Sequence, residues 1–143
     1  MPGTECCSAN GVDISPDGRW VFVNAWATNK VIRVSRGRTP FQRDELAVAF
    51  MPDNVKWSHG RVLVTGQTGD AATVLAGVSA GPTYDAGLKV IAVDPETLAV
   101  EELVDFSEPG GFGTAATAIQ VEDEIWVSSA RSDRIAYFKG ALA

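Results

Sequence analysis

The architecture of this chain can be read from S-A-N-G-V-D-I-S-P-D-G-R-W-V-F-V, residues 8–23. Two strand-like runs flank a Ser-Pro-Asp-Gly turn, in which proline presets φ and glycine tolerates a positive φ. An amide side chain, Asn10, stands just where the first run begins. A second stretch, P-D-N-V-K-W-S-H-G-R-V-L-V at residues 52–64, repeats this layout with Asp53 and Asn54 at the equivalent place.

Strand-like runs recur along the chain in groups, which predicts an all-β protein. Residues 10–50 are predicted to form a four-stranded antiparallel meander, the pattern restarts over residues 53–106, and a third unit at residues 116–140 stops one strand short. Repeated meanders at this spacing are typical of β-propeller blades, and runs such as V-L-V suit a sheet packed between neighbouring blades. A β-sandwich of about a dozen strands is the alternative, although it would not need repeats in phase.

In such a blade, the first strand runs away from one face of the molecule and the second strand returns to it. The strand starts at Asn10, Asp53 and Asn54 therefore share an end with a lid-like insertion at residues 66–87. This insertion is predicted to be a long loop, because its glycines and a proline disfavour a helix. A pocket is expected at this end, and the only histidine, His59, is interpreted as a turn residue at the opposite end.

Composition limits the partners of the chain. It has 143 residues, of which 45% are hydrophobic, and this is enough for a real core. A net charge of −6 argues against nucleic acid and anionic membranes and suits cations better. No uncharged run is long enough to span a bilayer and the first residues do not resemble a signal peptide, so we expect a cytoplasmic location. Adjacent Cys6 and Cys7 are interpreted as free thiols.

The motifs resemble a known family. The run N-G-V-D-I-S-P-D-G-R-W-V-F-V-N-A-W, followed by K-V-I-R-V and D-N-V-K-W, is similar to the six-bladed propellers of the gluconolactonase, regucalcin and paraoxonase superfamily. The paired Asp53 and Asn54 and the final I-W-V-S-S-A-R-S-D-R-I-A-Y-F unit resemble its arylesterase/paraoxonase-like branch. Residues 5–139 resemble the C-terminal half of such a protein. The expected fold is all-β, with about three four-stranded blades that form half of a six-bladed β-propeller.

The resemblance implies a divalent metal ion on the propeller axis, held by Asn10, Asp53 and Asn54. Ca²⁺ is the ion expected first, with Mg²⁺, Mn²⁺ or Zn²⁺ as substitutes. In that family the ion polarises the carbonyl of a lactone or an ester, so metal-dependent hydrolysis is implied, with Asp53 as the candidate catalytic residue. Two alternatives stay open: these side chains only close turns, or the chain is a non-catalytic binding or assembly module that retains the fold.

Further candidates for substrate contact lie at the same end of the predicted blades. Trp26 follows a strand that returns to this end, so it is expected to border the pocket. Asp70, Tyr84 and Asp85 lie on the predicted lid, and Thr114 precedes the third unit. They are weaker candidates for substrate contact or proton transfer.

Half a propeller leaves two blade faces uncovered, with apolar strands open to water. We therefore expect a homodimer in which two chains pair head to tail around a two-fold axis and close a six-bladed ring. Residues 1–5 are expected to supply the missing outer strand of the third unit, in their own chain or in the partner. The axis would then carry Asn10 and Asp53 from both chains, and a cation would relieve the repulsion between the two aspartates.

Overall fold

The computed structural model describes residues 3–6, 8–79, 86–107 and 112–139. Its strands form three antiparallel sheets of four, four and three strands, which confirms the all-β fold; the third sheet has three strands among the described residues. Within the described ranges, no helix has the length and hydrophobicity needed to cross a membrane. The elements are β1 (Ala9–Ile14), β2 (Trp20–Ala25), a 3₁₀ turn (Trp26–Thr28), β3 (Lys30–Ser35), β4 (Arg43–Ala47), β5 (Met51–Ser58), β6 (Arg61–Gln67), α1 (Ala71–Val78), β7 (Leu88–Val93), β8 (Val100–Phe106), β9 (Ala115–Val121), β10 (Glu124–Ser129) and β11 (Ala136–Lys139).

Each sheet is a meander in which neighbours along the chain are neighbours in space. The first sheet has the order β1-β2-β3-β4, the second β5-β6-β7-β8, and the third β9-β10-β11. The turn between β1 and β2 is held by Asp17, whose Oδ1 accepts hydrogen bonds from Ser15 Oγ at 2.6 Å and from Arg19 N at 3.0 Å. These bonds hold the pKa of Asp17 at about 2. The Ser-Pro-Asp-Gly turn therefore closes the hairpin as its sequence predicts.

The sheets pack face to face in chain order, and apolar side chains fill the space between them. Between the first and second sheets the buried cluster comprises Trp20, Phe22, Val31, Phe50, Val55, Val62, Val64, Ile91 and Val93. Between the second and third sheets it comprises Leu88, Val90, Val104, Phe112, Ala115, Ala118, Ile125 and Val127. The second sheet is thus covered on both faces, as expected for a sheet between two others.

The predicted loop at residues 66–87 is wrong in part, because α1 forms inside it. Strand β6 continues to Gln67, and Asp70 then caps the helix by accepting a hydrogen bond from Thr73 N at 2.9 Å. Val74 is buried against Met51, so tertiary packing favours the helix despite its glycine. Residues 80–85 lie outside the described part of the chain.

Two smaller expectations also need correction. The first meander is predicted to extend to residue 50, but its fourth strand, β4, spans Arg43–Ala47. Beyond this strand Val48 N still donates to Asn29 O at 2.9 Å, and the chain then bends at residues 49–50. Residues 3–6 do not extend the third sheet of their own chain, because Arg43 Nη1 on the first sheet donates to Gly3 O at 2.9 Å.

Candidate functional site

The first strands of the three sheets lie side by side, with β5 between β1 and β9. Their close approach depends on Gly11. A Cβ atom at this position would lie 2.5 Å from Asn54 Cα and 2.8 Å from Asp53 O, distances that real Cβ contacts do not reach. Glycine therefore follows Asn10 because β5 passes too close for any side chain there.

A β-bulge near the start of each of these strands directs the candidate ligands. Asn10 lies in the bulge of β1, and Asp53 lies in the bulge of β5. A bulge leaves one residue outside the regular pairing and changes the direction of its side chain, a device that is common beside active sites. The equivalent bulge of β9 holds Ala116, so the third sheet contributes no ligand at this position.

The side chain of Asp53 is surrounded by amides. Its Oδ2 accepts a hydrogen bond from Gln67 Nε2 at 3.0 Å, and its Oδ1 accepts one from Asn54 Nδ2 at 3.2 Å. The Asn10 side chain is a further hydrogen-bond partner of this carboxylate. The backbone oxygen of Asp53 accepts from Asn24 Nδ2 at 3.0 Å. These contacts position the carboxylate without neutralising it.

Burial raises the pKa of Asp53 above its ordinary value of 3.8, and the hydrogen bonds from Gln67 and Asn10 offset only part of this effect. Within the described residues, no lysine, arginine or histidine contributes to the shift. The ionised carboxylate therefore carries a partly desolvated charge with no cationic partner. A bound cation, or a ligand that donates hydrogen bonds, would stabilise it.

Gln67 is a buried residue of the site that sequence reasoning missed. Trp26 Nε1 donates to Gln67 Oε1 at 2.8 Å, and Gln67 Nε2 also donates to the backbone oxygen of Ala115. An indole N–H can only donate, so the amide oxygen must face Trp26 and the amide nitrogen must face Asp53. The signal available in the sequence was position alone, because Gln67 ends a strand that returns to the same end of the molecule as Trp26.

These residues form the floor of a cleft of about 370 Å³ whose walls are largely apolar. Helix α1 forms one wall, and Val74 of this helix packs with Met51 and Ala86 beside Trp26. The insertion therefore does reach the strand starts, although it does so as a helix. The lining residues are Ser8, Ala9, Asn10, Trp26, Asp53, Gln67, Val74, Leu75, Val78, Thr114 and Ala130.

Two equivalent residues with strained backbones border the cleft. Ser8 precedes β1 with φ 52°, and Thr114 precedes β9 with φ 54°. Their carbonyl oxygens accept matching hydrogen bonds of 3.0 Å, from Trp26 N and from Ala130 N respectively. Left-handed non-glycine residues cluster at functional sites, where the surrounding structure holds them. Within the described part of the chain, Thr114 Oγ1 is buried without a hydrogen-bond partner.

The structure brings four of the predicted site residues together in the cleft: Asn10, Trp26, Asp53 and Thr114. Asn54 does not line the cleft but contacts Asp53. Asp70 is not among the lining residues, and both of its carboxylate oxygens accept hydrogen bonds from Thr73 as a helix cap. Tyr84 and Asp85 lie outside the described residues. His59 occupies the β5–β6 turn at the opposite end with φ 47°.

The side chains around Asp53 fit the implied divalent cation in kind, because carboxylate, amide and hydroxyl oxygens are the ligands of hard ions. Asn10 can turn its carbonyl oxygen inward, and the buried Thr114 Oγ1 is a further oxygen donor at the same cleft. The described residues contain no cluster of three or more His, Cys, Asp or Glu side chains. Ca²⁺ takes about six to eight oxygens, so Asp53, Asn10 and Thr114 alone would not complete the coordination of that ion.

Neither a protein-family model nor a curated protein matches this sequence. A solved structure of a protein of unknown function from Desulfotomaculum acetoxidans matches with a TM-score of 0.56 and 14% identity, over 96% of this chain and 43% of its own. This likeness shows the fold. A proposed 6-phosphogluconolactonase from Bacteroides uniformis matches with a TM-score of 0.41 and 14% identity, over 94% of this chain and 52% of its own, a score too low to indicate a common fold. The chain spans about half the length of these proteins.

Proposed function

We propose that this cleft binds a divalent cation at Asp53 and hydrolyses a small lactone or ester. The observation that carries the proposal is the half-buried Asp53 carboxylate, which among the described residues has amide partners and no cationic side chain beside it. A divalent ion is the simplest partner for such a charge. Asn10 and Thr114 are the proposed neutral ligands, and Asn54 is either a ligand or a support for Asp53.

The residues of the chain have distinct roles in this proposal. Gln67 holds Asp53 in place, and the indole of Trp26 prevents the Gln67 amide from turning over. Trp26 and the α1 residue Leu75 offer apolar surface to the hydrocarbon part of a substrate, so that its carbonyl lies toward Asp53. When bound, the ion supplies a Lewis acid for the carbonyl and lowers the pKa of a coordinated water.

A second candidate function is a binding or assembly module without turnover. Two observations favour it. Ala116 occupies the third bulge where a further ligand could have stood, and the only histidine lies at the opposite end. In the described part of the cleft, Asp53 is therefore the only candidate for a general base. The two candidates differ in turnover, whereas both allow a small molecule to bind in the cleft.

The first test is a calorimetric titration of Ca²⁺ into chelator-treated protein, repeated with Mg²⁺ and Mn²⁺. We expect Asp53→Asn to weaken binding at least about tenfold, which corresponds to about 1.4 kcal/mol. The matched control is Asp123→Asn, which makes the same charge change in the exposed turn between β9 and β10. Absence of ion binding by the wild-type protein would contradict the proposed metal site.

The second test is hydrolysis of a panel of lactones and aryl esters with and without chelator. Turnover that requires the metal and is lost in Asp53→Asn supports the enzyme. Ion binding without turnover on any member of the panel supports the binding module instead. Turnover that persists in the chelator would show that hydrolysis does not depend on the ion.

A further inference from the structure

Among the residues that the structure describes, the first and third sheets each leave part of one apolar face uncovered. On the first sheet, Val12 of β1 is 64% exposed. Ile14 on the same face is 42% exposed, whereas Val21 and Val23 are partly buried against Ile32 and Val34. We call Val12, Ile14, Val21 and Val23 the valine face. On the third sheet, Ile119 is 53% exposed. Its neighbours are Val121, Trp126 and Tyr137, and we call this the tryptophan face.

The direction of each face follows from the alternation of side chains along the strands. Asp13, between Val12 and Ile14, accepts a hydrogen bond from Trp57 N of the second sheet at 2.7 Å. Its two neighbours therefore point away from the second sheet. On β9, Ala118 packs toward the second sheet, so Ile119 points away from it. The two faces lie on opposite sides of the stack of three sheets.

The second sheet has an equivalent of the valine face. Val12 pairs with Val23, and at the same distance after the bulge Val55 pairs with Val64. Val55 is only 3% exposed, because it packs with Phe22 of the first sheet. In the second sheet, the equivalent face is therefore covered by the preceding sheet of the stack.

The tryptophan face of the third sheet is equivalent to the face of the first sheet that packs on the second sheet. Phe22 lies opposite Asp13 in the first sheet, and Trp126 lies opposite Ile119 at the same register in the third sheet. Phe22 is fully buried against the second sheet, whereas Trp126 borders an open groove of about 180 Å³ and stacks on Tyr137 at 5.2 Å. The third sheet is thus built to receive another sheet, as the first sheet receives the second.

We propose that a second copy of this chain covers both faces. The valine face of each copy packs against the tryptophan face of the other, and a two-fold axis relates the two contacts. Neither contact depends on an ion or on hydrolysis. If the proposed function also holds, the partner brings its own Asn10 and Asp53 toward the same opening.

The test is the mass in solution, measured by light scattering coupled to size exclusion. We expect the wild-type protein to have twice the 15.1 kDa mass of the chain, and Val12→Asp and Ile119→Asp each to be monomeric. Both positions are largely exposed in the single chain, so circular dichroism should show that the variants fold. The matched control is Val100→Asp at a 49% exposed valine of β8, which lies on neither face and should stay dimeric.

A mixture of the two monomeric variants tests the head-to-tail arrangement. A Val12→Asp chain and an Ile119→Asp chain together retain one unaltered contact, so the mixture should regain dimers. If like faces paired instead, one variant alone would remain dimeric, and the proposal would fail. It would also fail if the wild-type protein were monomeric, its faces then being covered by a different chain. A mass that grows beyond two chains with concentration would equally overturn it.

Discussion

Asp53 is held in an environment that costs the folded protein stability. Its carboxylate is partly desolvated and its partners are neutral amides, so ionisation is less favourable here than in an unfolded chain. A residue chosen for stability alone would be neutral at this position. Such conflicts between stability and local chemistry are typical of functional sites.

We predict that Asp53→Asn stabilises the chelator-treated protein at neutral pH. Because the folded state raises the pKa of Asp53, this residue is most favourable when protonated, and its contribution is lost as pH rises through the raised pKa. The variant removes that loss and keeps the oxygen that accepts from Gln67. The difference in stability between the variant and the wild-type protein should disappear as pH falls below 3.8, the ordinary pKa of an aspartate. Thermal unfolding of both proteins across this pH range measures the effect.

The exposed Asp123→Asn variant is the control for this experiment and should change stability little. A lower unfolding temperature for Asp53→Asn at neutral pH would contradict the prediction. It would mean that the hydrogen bonds to the charged carboxylate outweigh its desolvation.

Among the elements, the contact between β1 and β5 decides the geometry of the cleft. The two strands approach closely at Gly11, and their bulges direct Asn10 and Asp53 to the same end. Each bulge redirects a single side chain, so both bulges are needed to bring Asn10 and Asp53 together. The candidate site is therefore a property of strand packing as much as of residue identity.

We predict that Gly11→Ala destabilises the protein by about 1–3 kcal/mol, the usual cost of overpacking, and also weakens ion binding. The added methyl would lie 2.5 Å from Asn54 Cα, so β1 and β5 must separate and Asn10 must move. Chemical denaturation and calorimetry measure the two effects. Gly37→Ala is the control, because Gly37 has a positive φ and no neighbour within 4 Å of an added Cβ. It should lose stability through backbone strain alone and keep its ion affinity.

For the whole molecule, the proposed dimer and the proposed ion site make a joint prediction. A single chain offers one acidic ligand in its described part, whereas a closed dimer would offer two around one opening. We predict a stoichiometry of about one ion for every two chains, and weaker binding by monomeric Val12→Asp than by Val100→Asp. Calorimetry at a concentration where the wild-type protein is dimeric measures both. One ion per chain with unchanged affinity in Val12→Asp would mean that each chain holds its ion alone.

Local patterns in the sequence were enough to predict the three meanders, the Ser-Pro-Asp-Gly turn and the end of the molecule at which Asn10, Asp53 and Trp26 meet. These follow from the alternation of side chains and from hairpin geometry, which act between near neighbours in the chain. The role of Gln67, the formation of α1 and the raised pKa of Asp53 follow only from the tertiary structure. Gln67 bonds Trp26 of the 3₁₀ turn, Asp53 of the second sheet and Ala115 of the third sheet. Helix α1 is stabilised by burial of Val74, and the pKa depends on how much water the neighbouring sheets exclude. Such effects arise between residues that are distant in the chain, so no local pattern contains them.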